Sequence, residues 1–307
     1  MRELIRNILM LISNYLFYKR NGKQDKDVNE LLYKNYLIYR KNKIIRYLEQ
    51  EEGYDKEISY LKKQLPYLMS IDTEKVKRIV DRIRVETHVE YDNEKNMFFI
   101  IRNNKKLYME KKLNSVDKVL DYYSYLAYEQ TEESPHKYLG NGFEVKKGEI
   151  IADCGAAEGV FALDNIENAD KVYLFEYDED WIEALKATFE PYKGKAVIEK
   201  IFLDDHDEED KVSLDTYFNE KDVSFIKMDL EGFEYKVLEG AKELLRTRDN
   251  ISLAITVYHN KNDEKVVREY LKDYDVSVTE GYLMHQWEEA EPPYLRHGVI
   301  RAKKRIR

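Results

Sequence analysis

Residues 150–159 read Ile-Ile-Ala-Asp-Cys-Gly-Ala-Ala-Glu-Gly, and their reading decides the fold. Ile150-Ile151-Ala152 is a short apolar run of the kind a buried parallel strand shows. It ends in a glycine loop, Asp153-Cys154-Gly155-Ala156-Ala157-Glu158-Gly159, and Val160 to Ile166 can continue as a helix. Val172 to Phe175 then reads as the next parallel strand, closed by Glu176. In an open α/β sheet, ligands sit beyond the carboxyl ends of the strands, at the first strand-to-helix turn. An acid about 20 residues past that turn is placed to accept hydrogen bonds from ribose hydroxyls. Glu176 falls there, so the segment predicts half of a nucleoside-binding domain. Gly155 and Gly159 also suit a tight turn with no ligand at all.

The loop pattern is D-x-G-x-x-x-G and not the G-x-G-x-x-G of a dinucleotide site. A pyrophosphate wants backbone N–H groups and a helix N-terminus free of competing negative charge. Asp153 and Glu158 bracket this loop, so a diphosphate would meet two carboxylates. A ligand with an ammonium and a sulfonium and no phosphate fits better, and S-adenosylmethionine is such a ligand. The loop therefore predicts Asp153, Gly155, Ala156, Glu158, Gly159 and Glu176 as cofactor-binding residues.

A second stretch, Val223 to Glu234, reads Val-Ser-Phe-Ile-Lys-Met-Asp-Leu-Glu-Gly-Phe-Glu. At the two-residue period of a strand, Ile226, Met228 and Leu230 face one side while Lys227, Asp229 and Glu231 face the other. Three ionisable groups in a row at the end of a buried strand are costly to desolvate unless paired or used. One reading is a structural Lys227–Asp229 pair. The other, adopted here, is a row opening into the cleft beside the cofactor, with Asp229 serving the cofactor as well.

Together these two stretches resemble the FkbM family of methyltransferases, within the class I S-adenosylmethionine-dependent fold. The resemblance rests on residues 150–159 and on Phe225 to Glu234, which continues into Val237-Leu238-Glu239-Gly240-Ala241. Leu214-Asp215 and Tyr258-His259 also match, and the resemblance spans roughly residues 120 to 303. Glu158 and Tyr177 depart from the family pattern, which usually has a neutral polar residue and a proline there. The resemblance implies a Rossmann-like sheet and methyl transfer to an oxygen of a sugar, glycan precursor or other hydroxylated metabolite. Transfer from a sulfonium is an in-line displacement, accelerated mainly by alignment. A hydroxyl acceptor must also lose its proton, which a placed base assists by about 10²–10⁴-fold. His259, just past the apolar run Ile251 to Val257, is the best candidate base, with Asp229 and Glu231 as rivals. The two acids could instead hold a divalent cation, although a metal-independent site is favoured. A nicotinamide-dependent oxidoreductase on a similar sheet, and a binding module without turnover, are the competing classes.

Composition sets the frame. The 307 residues leave room for one large domain with a sizeable extension. A formal charge of −9 argues against a general nucleic-acid surface. The single cysteine, Cys154, excludes a disulfide within the chain and reads as a small filler of the turn. Ile8 to Phe17 is apolar but interrupted by Ser13 and Asn14 and far short of the roughly 20 residues a spanning helix needs. It also lacks a small-residue cleavage site, so a cytoplasmic chain is expected.

Residues 1–112 are expected to form a mainly helical extension with a β-hairpin, and residues 113–307 the methyltransferase domain. Helices are predicted over Asp27 to Glu51, Asp55 to Leu65 and Thr73 to Ile83, the last capped by Asp72 or Thr73. Met97 to Arg102 and Lys106 to Met109, joined at Asn103-Asn104, read as the hairpin. The Tyr-rich helix Ser115 to Glu129 follows. The extension is expected to cover the acceptor side of the cleft or to make a homodimer contact. The resemblance implies that His136 or Tyr138 lines the cofactor or acceptor pocket; turn chemistry alone makes the segment a Pro-containing turn joining helix to strand. Further on, Ala196 to Phe202, Val276 to Thr279 and Gly298 to Arg301 are expected strands, with helices over Gly232 to Leu245 and Asn262 to Tyr270. The acidic run Asp204 to Asp210, with His206, reads as a solvated loop, and Gly281 to His297 as a loop for acceptor contact.

Overall fold

The computed structural model describes residues 25–63, 73–140, 142–284 and 292–305. The segment Ile8 to Phe17, Asp72, and His285 and Trp287 of the late loop lie outside them. The chain divides into two compact units, Met1–Lys75 with Met284–Leu295, and Val76–Leu283 with Arg296–Arg307. The expected boundary at residue 112 is one of composition; the second unit begins at Val76.

In the first unit, helices α1 (Asp25–Leu48) and α2 (Asp55–Lys63) follow the helical spacing of the sequence. Ile44, Leu48 and Leu61 are buried, and Tyr47 meets Tyr294 edge-on at 5.4 Å.

The second unit holds the rest. Helix α3 (Thr73–Glu86) packs Val76, Ile79 and Val80 with Tyr128 of α4 (Val116–Glu129). Ser115 caps α4 by accepting a hydrogen bond from the Lys118 N–H. The expected hairpin is present as β2 (Met97–Arg102) and β3 (Lys105–Tyr108), and a third strand, β1 (Val89–Asp92), joins it. Asn103 and Asn104 both have positive φ, the conformation a tight two-residue hairpin turn demands.

The central sheet has seven strands. In chain order they are β4 (Ile150–Cys154), β5 (Lys171–Glu176), β6 (Ala196–Lys200), β9 (Phe225–Met228), β10 (Ser252–Thr256), β11 (Tyr274–Val278) and β14 (Val299–Lys304). The two-residue strands β7 (Phe202–Leu203), β8 (Lys211–Val212), β12 (Leu283–Met284) and β13 (Leu295–Arg296) lie outside it. The order across the sheet is β11-β14-β10-β9-β4-β5-β6, parallel except for β14, which runs antiparallel to both neighbours. The chain builds outward from β4 through β5 to β6, then returns to the other side of β4 with β9. The strand order therefore reverses between β4 and β9, and a crevice opens beyond their carboxyl ends. That crevice receives both stretches the sequence singled out.

Each face of the sheet is covered by its own apolar layer, so β4 and β9 are buried on both sides. One layer gathers Phe218, Val237, Leu244 and Val267; the other gathers Val119, Phe161, Leu163 and Leu185. Strand bounds agree with the sequence reading to within two residues, apart from β14, which runs on to Lys304, and β9, which ends at Met228, so that Leu230 and Glu231, read at the strand period, lie beyond it. One helix differs. The expected helix from Gly232 to Leu245 is two, Glu234–Glu239 and Lys242–Thr247. Gly240 lies so close to the chain beyond β7 that a Cβ would stand 2.4 Å from the Asp204 carbonyl oxygen. The second helix is started afresh by Asp215, whose carboxylate accepts from the N–H groups of Glu243 and Leu244. Among the described residues, no helix is long and apolar enough to cross a membrane.

Candidate active site

The β4 loop is shaped by what it must approach. Gly155 has φ +74°, and a Cβ there would stand 2.0 Å from the backbone oxygen of Asp229. The loop is thus pressed directly onto the turn that leaves β9. Ala157, also at positive φ, donates its N–H to Glu176 Oε2 at 2.8 Å. Glu176 Oε1 accepts from the N–H groups of Tyr177 and Asp178 at 2.7 and 2.8 Å. A carboxylate has about four acceptor positions, and three of those of Glu176 are filled in holding the loop. Gly159 begins helix α5 (Val160–Asn165), where a Cβ would meet Leu185 Cδ2 at 2.7 Å. Its role is packing.

Beneath the loop, Asp153 is fully buried and lies 3.1 Å from Lys227 Nζ, which is itself 4% exposed. Lys227 Nζ also donates to the Gly155 carbonyl at 2.6 Å. Burial pushes the Asp153 carboxyl up, against the pull of Lys227. The structural pair considered for Lys227 therefore exists, but its partner is Asp153 and not Asp229. Lys227, read from sequence as part of the row opening into the cleft, stitches β9 to the β4 loop. Removing one member of a buried ion pair leaves the other uncompensated, at a cost of about 3–5 kcal/mol. Lys227→Met is expected to lower unfolding stability in urea by that amount, and Asp153→Asn in the same chain to restore part of it. A loss under about 1 kcal/mol would contradict the pair's role.

Asp229, one residue past β9, is the hub of a polar network. Its Oδ2 accepts from Tyr138 Oη at 2.6 Å and lies 3.3 Å from His136 Nε2. Its Oδ1 accepts from Thr256 Oγ1 at 3.3 Å and lies 3.6 Å from His259 Nε2. Burial would raise its pKa, but His136, Lys227 and His259 overcome burial and hold the carboxyl well below its usual range. Conversely, burial would lower both imidazoles, yet the acids beside them hold His136 and His259 above theirs. Behind His259, Nδ1 lies 3.1 Å from Glu234 Oε1 in a charge contact. Glu234 Oε1 also accepts from the Leu230 N–H and from Thr256 Oγ1. A carboxylate behind Nδ1 turns Nε2 toward Asp229 and Glu231, each 3.6 Å away. Glu231 stands at φ +53°, a costly conformation for a residue other than glycine, with its side chain 91% exposed.

A cavity of about 390 Å³ opens here. Gly155, Ala156, Ala157 and Glu158 form one wall, Asp229, Glu231 and Tyr258 another, and α4 closes the side through Tyr122, Leu126 and Glu129. Of the expected site residues, Gly155, Ala156, Glu158, Lys227, Asp229 and Glu231 line it. Asp153, Gly159, Glu176 and His259 are not among its lining residues. The buried Glu158 accepts from Tyr122 Oη at 3.0 Å, and burial raises its pKa. Glu129, also on the lining, is pushed up to about 7 by burial, against His136. The sequence reading had named His136 and Tyr138 as able to line the pocket, and both do. It lacked Glu129 and Glu234, and nothing in spacing alone brings Glu129 over Asp229.

Asp229, Glu234 and His259 also present donor atoms all within 4.8 Å, as do Asp204, Asp205 and His206 away from the cavity. In the second group Asp204 is already met by Lys211 at 3.0 Å and Lys236 at 3.7 Å, and His206 by Glu208 at 3.1 Å.

No curated protein sequence matches the chain. Several solved structures share a low likeness with it. Precorrin-6y C5,15-methyltransferase from Geobacter metallireducens GS-15 is 12% identical, over 53% of this chain and 84% of that one, at a TM-score of 0.37. An rRNA methylase from Streptococcus thermophilus is 16% identical over 52% and 89%, at 0.36. A putative tRNA (m1A22) methyltransferase from Streptococcus pneumoniae, in complex with S-adenosyl-L-methionine, is 18% identical over 52% and 68%, at 0.35. Residues 192–278, which contain Asp229, Glu231, Glu234 and His259, match the family model of the methyltransferase FkbM domain.

Proposed function

We propose that this chain is a methyltransferase that takes its methyl group from S-adenosylmethionine and delivers it to a hydroxyl oxygen of a sugar, glycan precursor or other small metabolite. The observation that carries this reading is the placement of Asp229. It lies in the FkbM segment, at the strand-order reversal, on the wall of a cavity whose other wall is the phosphate-averse β4 loop. Carboxylates on that loop suit the ammonium and sulfonium of such a cofactor. Glu158 faces the ammonium and Glu176 takes a ribose hydroxyl. S-adenosylmethionine supplies an electrophilic methyl; the residues of the chain align the acceptor with it and take its proton. As the new C–O bond would form and the C–S bond break, the hydroxyl, hydrogen-bonded to the Asp229 carboxylate, would release its proton toward His259 Nε2, 3.6 Å from Asp229 with Glu234 behind it. Glu231 steadies the resulting imidazolium.

Ligand-linked melting separates this reading from its rival. S-adenosylhomocysteine at about 100 times its Kd is expected to add roughly 2.7 kcal/mol of stability. NAD and NADP at the same concentration are expected to leave Tm unchanged. A shift with the dinucleotides alone would overturn the proposal.

A further inference from the structure

The ring of His259 is not fixed by hydrogen bonds of its own. Neither ring nitrogen has a hydrogen-bond partner among the described residues. Glu234 at 3.1 Å, and Asp229 and Glu231 at 3.6 Å, attract the ring through charge. The Tyr258 ring lies against it, with centroids 4.1 Å apart. Coulomb attraction depends on distance and not on bond direction. A ring held in this way takes its place from the backbone that bears it.

That backbone has left the sheet. Strand β10 ends at Thr256, and the Val257 N–H makes a last bond to the Gly298 carbonyl at 3.0 Å. The next two carbonyls, of Tyr258 and His259, meet a single side chain. Arg296 Nη1 donates to both, at 2.7 and 2.9 Å. Arg296 is 6% exposed and stands three residues before β14, the strand beside β10. Burial pulls its pKa down, against Asp263. A buried guanidinium is costly to desolvate, and an apolar side chain of similar volume would fill the space without that cost. Beyond His259, Asn260 anchors the turn, its N–H donating to Asp263 Oδ2 at 2.6 Å and its Nδ2 to the Gly232 carbonyl at 3.1 Å. Arg296 therefore governs the two residues between the sheet and that anchor.

We propose that Arg296 is a positioning residue for methyl transfer: by holding the Tyr258 and His259 carbonyls, it sets the place of His259 Nε2 beside Asp229. This rests on the functional reading above. Arg296 is not among the residues lining the cavity, so it acts through the residues it holds. A turn released from it lets the imidazole move off Glu234 and Asp229, and the acids that favour its charged form then act on it less.

NMR titration of the imidazole Cε1–H groups in the full chain tests it without any ligand. The His259 signal is assigned by its loss in His259→Gln. Its midpoint in the parent lies above the ordinary value of about 6.5. In Arg296→Met the midpoint is expected to fall to that value or below. Loss of a nearby positive charge alone would raise it, so a fall reports displacement of the ring. Arg296→Lys keeps the charge and a donor, and its midpoint is expected between the two. His136, on a turn held by Arg301, is expected not to fall. Lys304→Met is the structural control, because Lys304 Nζ donates to the carbonyls of Leu245 and Arg246, outside the cavity lining. It is expected to lower Tm and leave His259 unmoved. If Arg296→Met does not fold, Arg296→Gln carries the comparison. An unchanged or raised midpoint in the Met or Gln variant, or an equal fall in Lys304→Met, overturns the proposal. Failure of the parent to bind S-adenosylhomocysteine would defeat the functional reading itself. An unmoved His259 would defeat only this inference.

Discussion

Asp229→Asn is expected to lower turnover by about 10³-fold, within the range a placed base supplies, while S-adenosylhomocysteine binding stays within about tenfold of the parent. The substitution preserves shape and removes charge. Tyr138 and Thr256 donate to different oxygens of Asp229, so only one of them can still donate to the single amide carbonyl, and His136 and His259 lose the anion that holds them above their ordinary pKa. The pH dependence of stability gives a second readout, and its sign is fixed. A histidine raised in the folded state contributes stability that is complete below its unfolded pKa, near 6.5, and lost as pH rises through the folded value. Glu129, raised to about 7, acts in the same direction between roughly pH 4.5 and 7, since the folded state resists its ionisation. The parent chain should therefore lose stability as pH climbs from about 6 to 8, and Asp229→Asn should flatten that slope. Full turnover in the variant on any acceptor the parent methylates would remove Asp229 from the mechanism.

The sheet was legible because its signals are local. An apolar run, a glycine turn and the next apolar run identify β4, α5 and β5 with no knowledge of what surrounds them. The site was legible only where one strand carried it. The row of Lys227, Asp229 and Glu231 declares itself by putting charge where burial is expected, yet the sequence could not say which acid Lys227 meets. The answer, Asp153, sits on the adjacent strand, and the β4–β9 register places Lys227 directly beside it. Glu129 and His136 were harder still. They reach Asp229 from about 100 residues away, through the end of α4 and a turn in which Arg301 donates to the carbonyls of Lys137, Tyr138 and Leu139. That arginine, read from sequence as the end of a strand, clamps the turn that carries His136 from within β14. Likewise, the helix after β9 read as one because composition shows propensity and not the carbonyl of Asp204 against Gly240.

The largest structural effect is expected from one added methyl. Gly155→Ala places a Cβ 2.0 Å from the carbonyl oxygen of Asp229, an atom fixed by the backbone and unable to rotate away. Alanine also meets the left-handed φ of +74°, which costs about 1–2 kcal/mol for a residue other than glycine. Relieving the overlap means moving the β4 loop off the β9 turn, an overpacking strain of about 1–3 kcal/mol more. The expected loss is thus about 2–5 kcal/mol in chemical denaturation. Function should fail further than stability does, because the displaced carbonyl belongs to the residue whose carboxylate organises both histidines. Lys227, which donates to the Gly155 carbonyl, would be drawn along with the loop. Cofactor binding should consequently fall even at temperatures where the variant remains folded. Gly194→Ala is the matched control, since a Cβ there meets nothing within 4 Å and its φ lies outside the left-handed region. Equal stability of the two variants would mean that the loop does not rest on Asp229, and the contact joining the two halves of the site would be lost from the account.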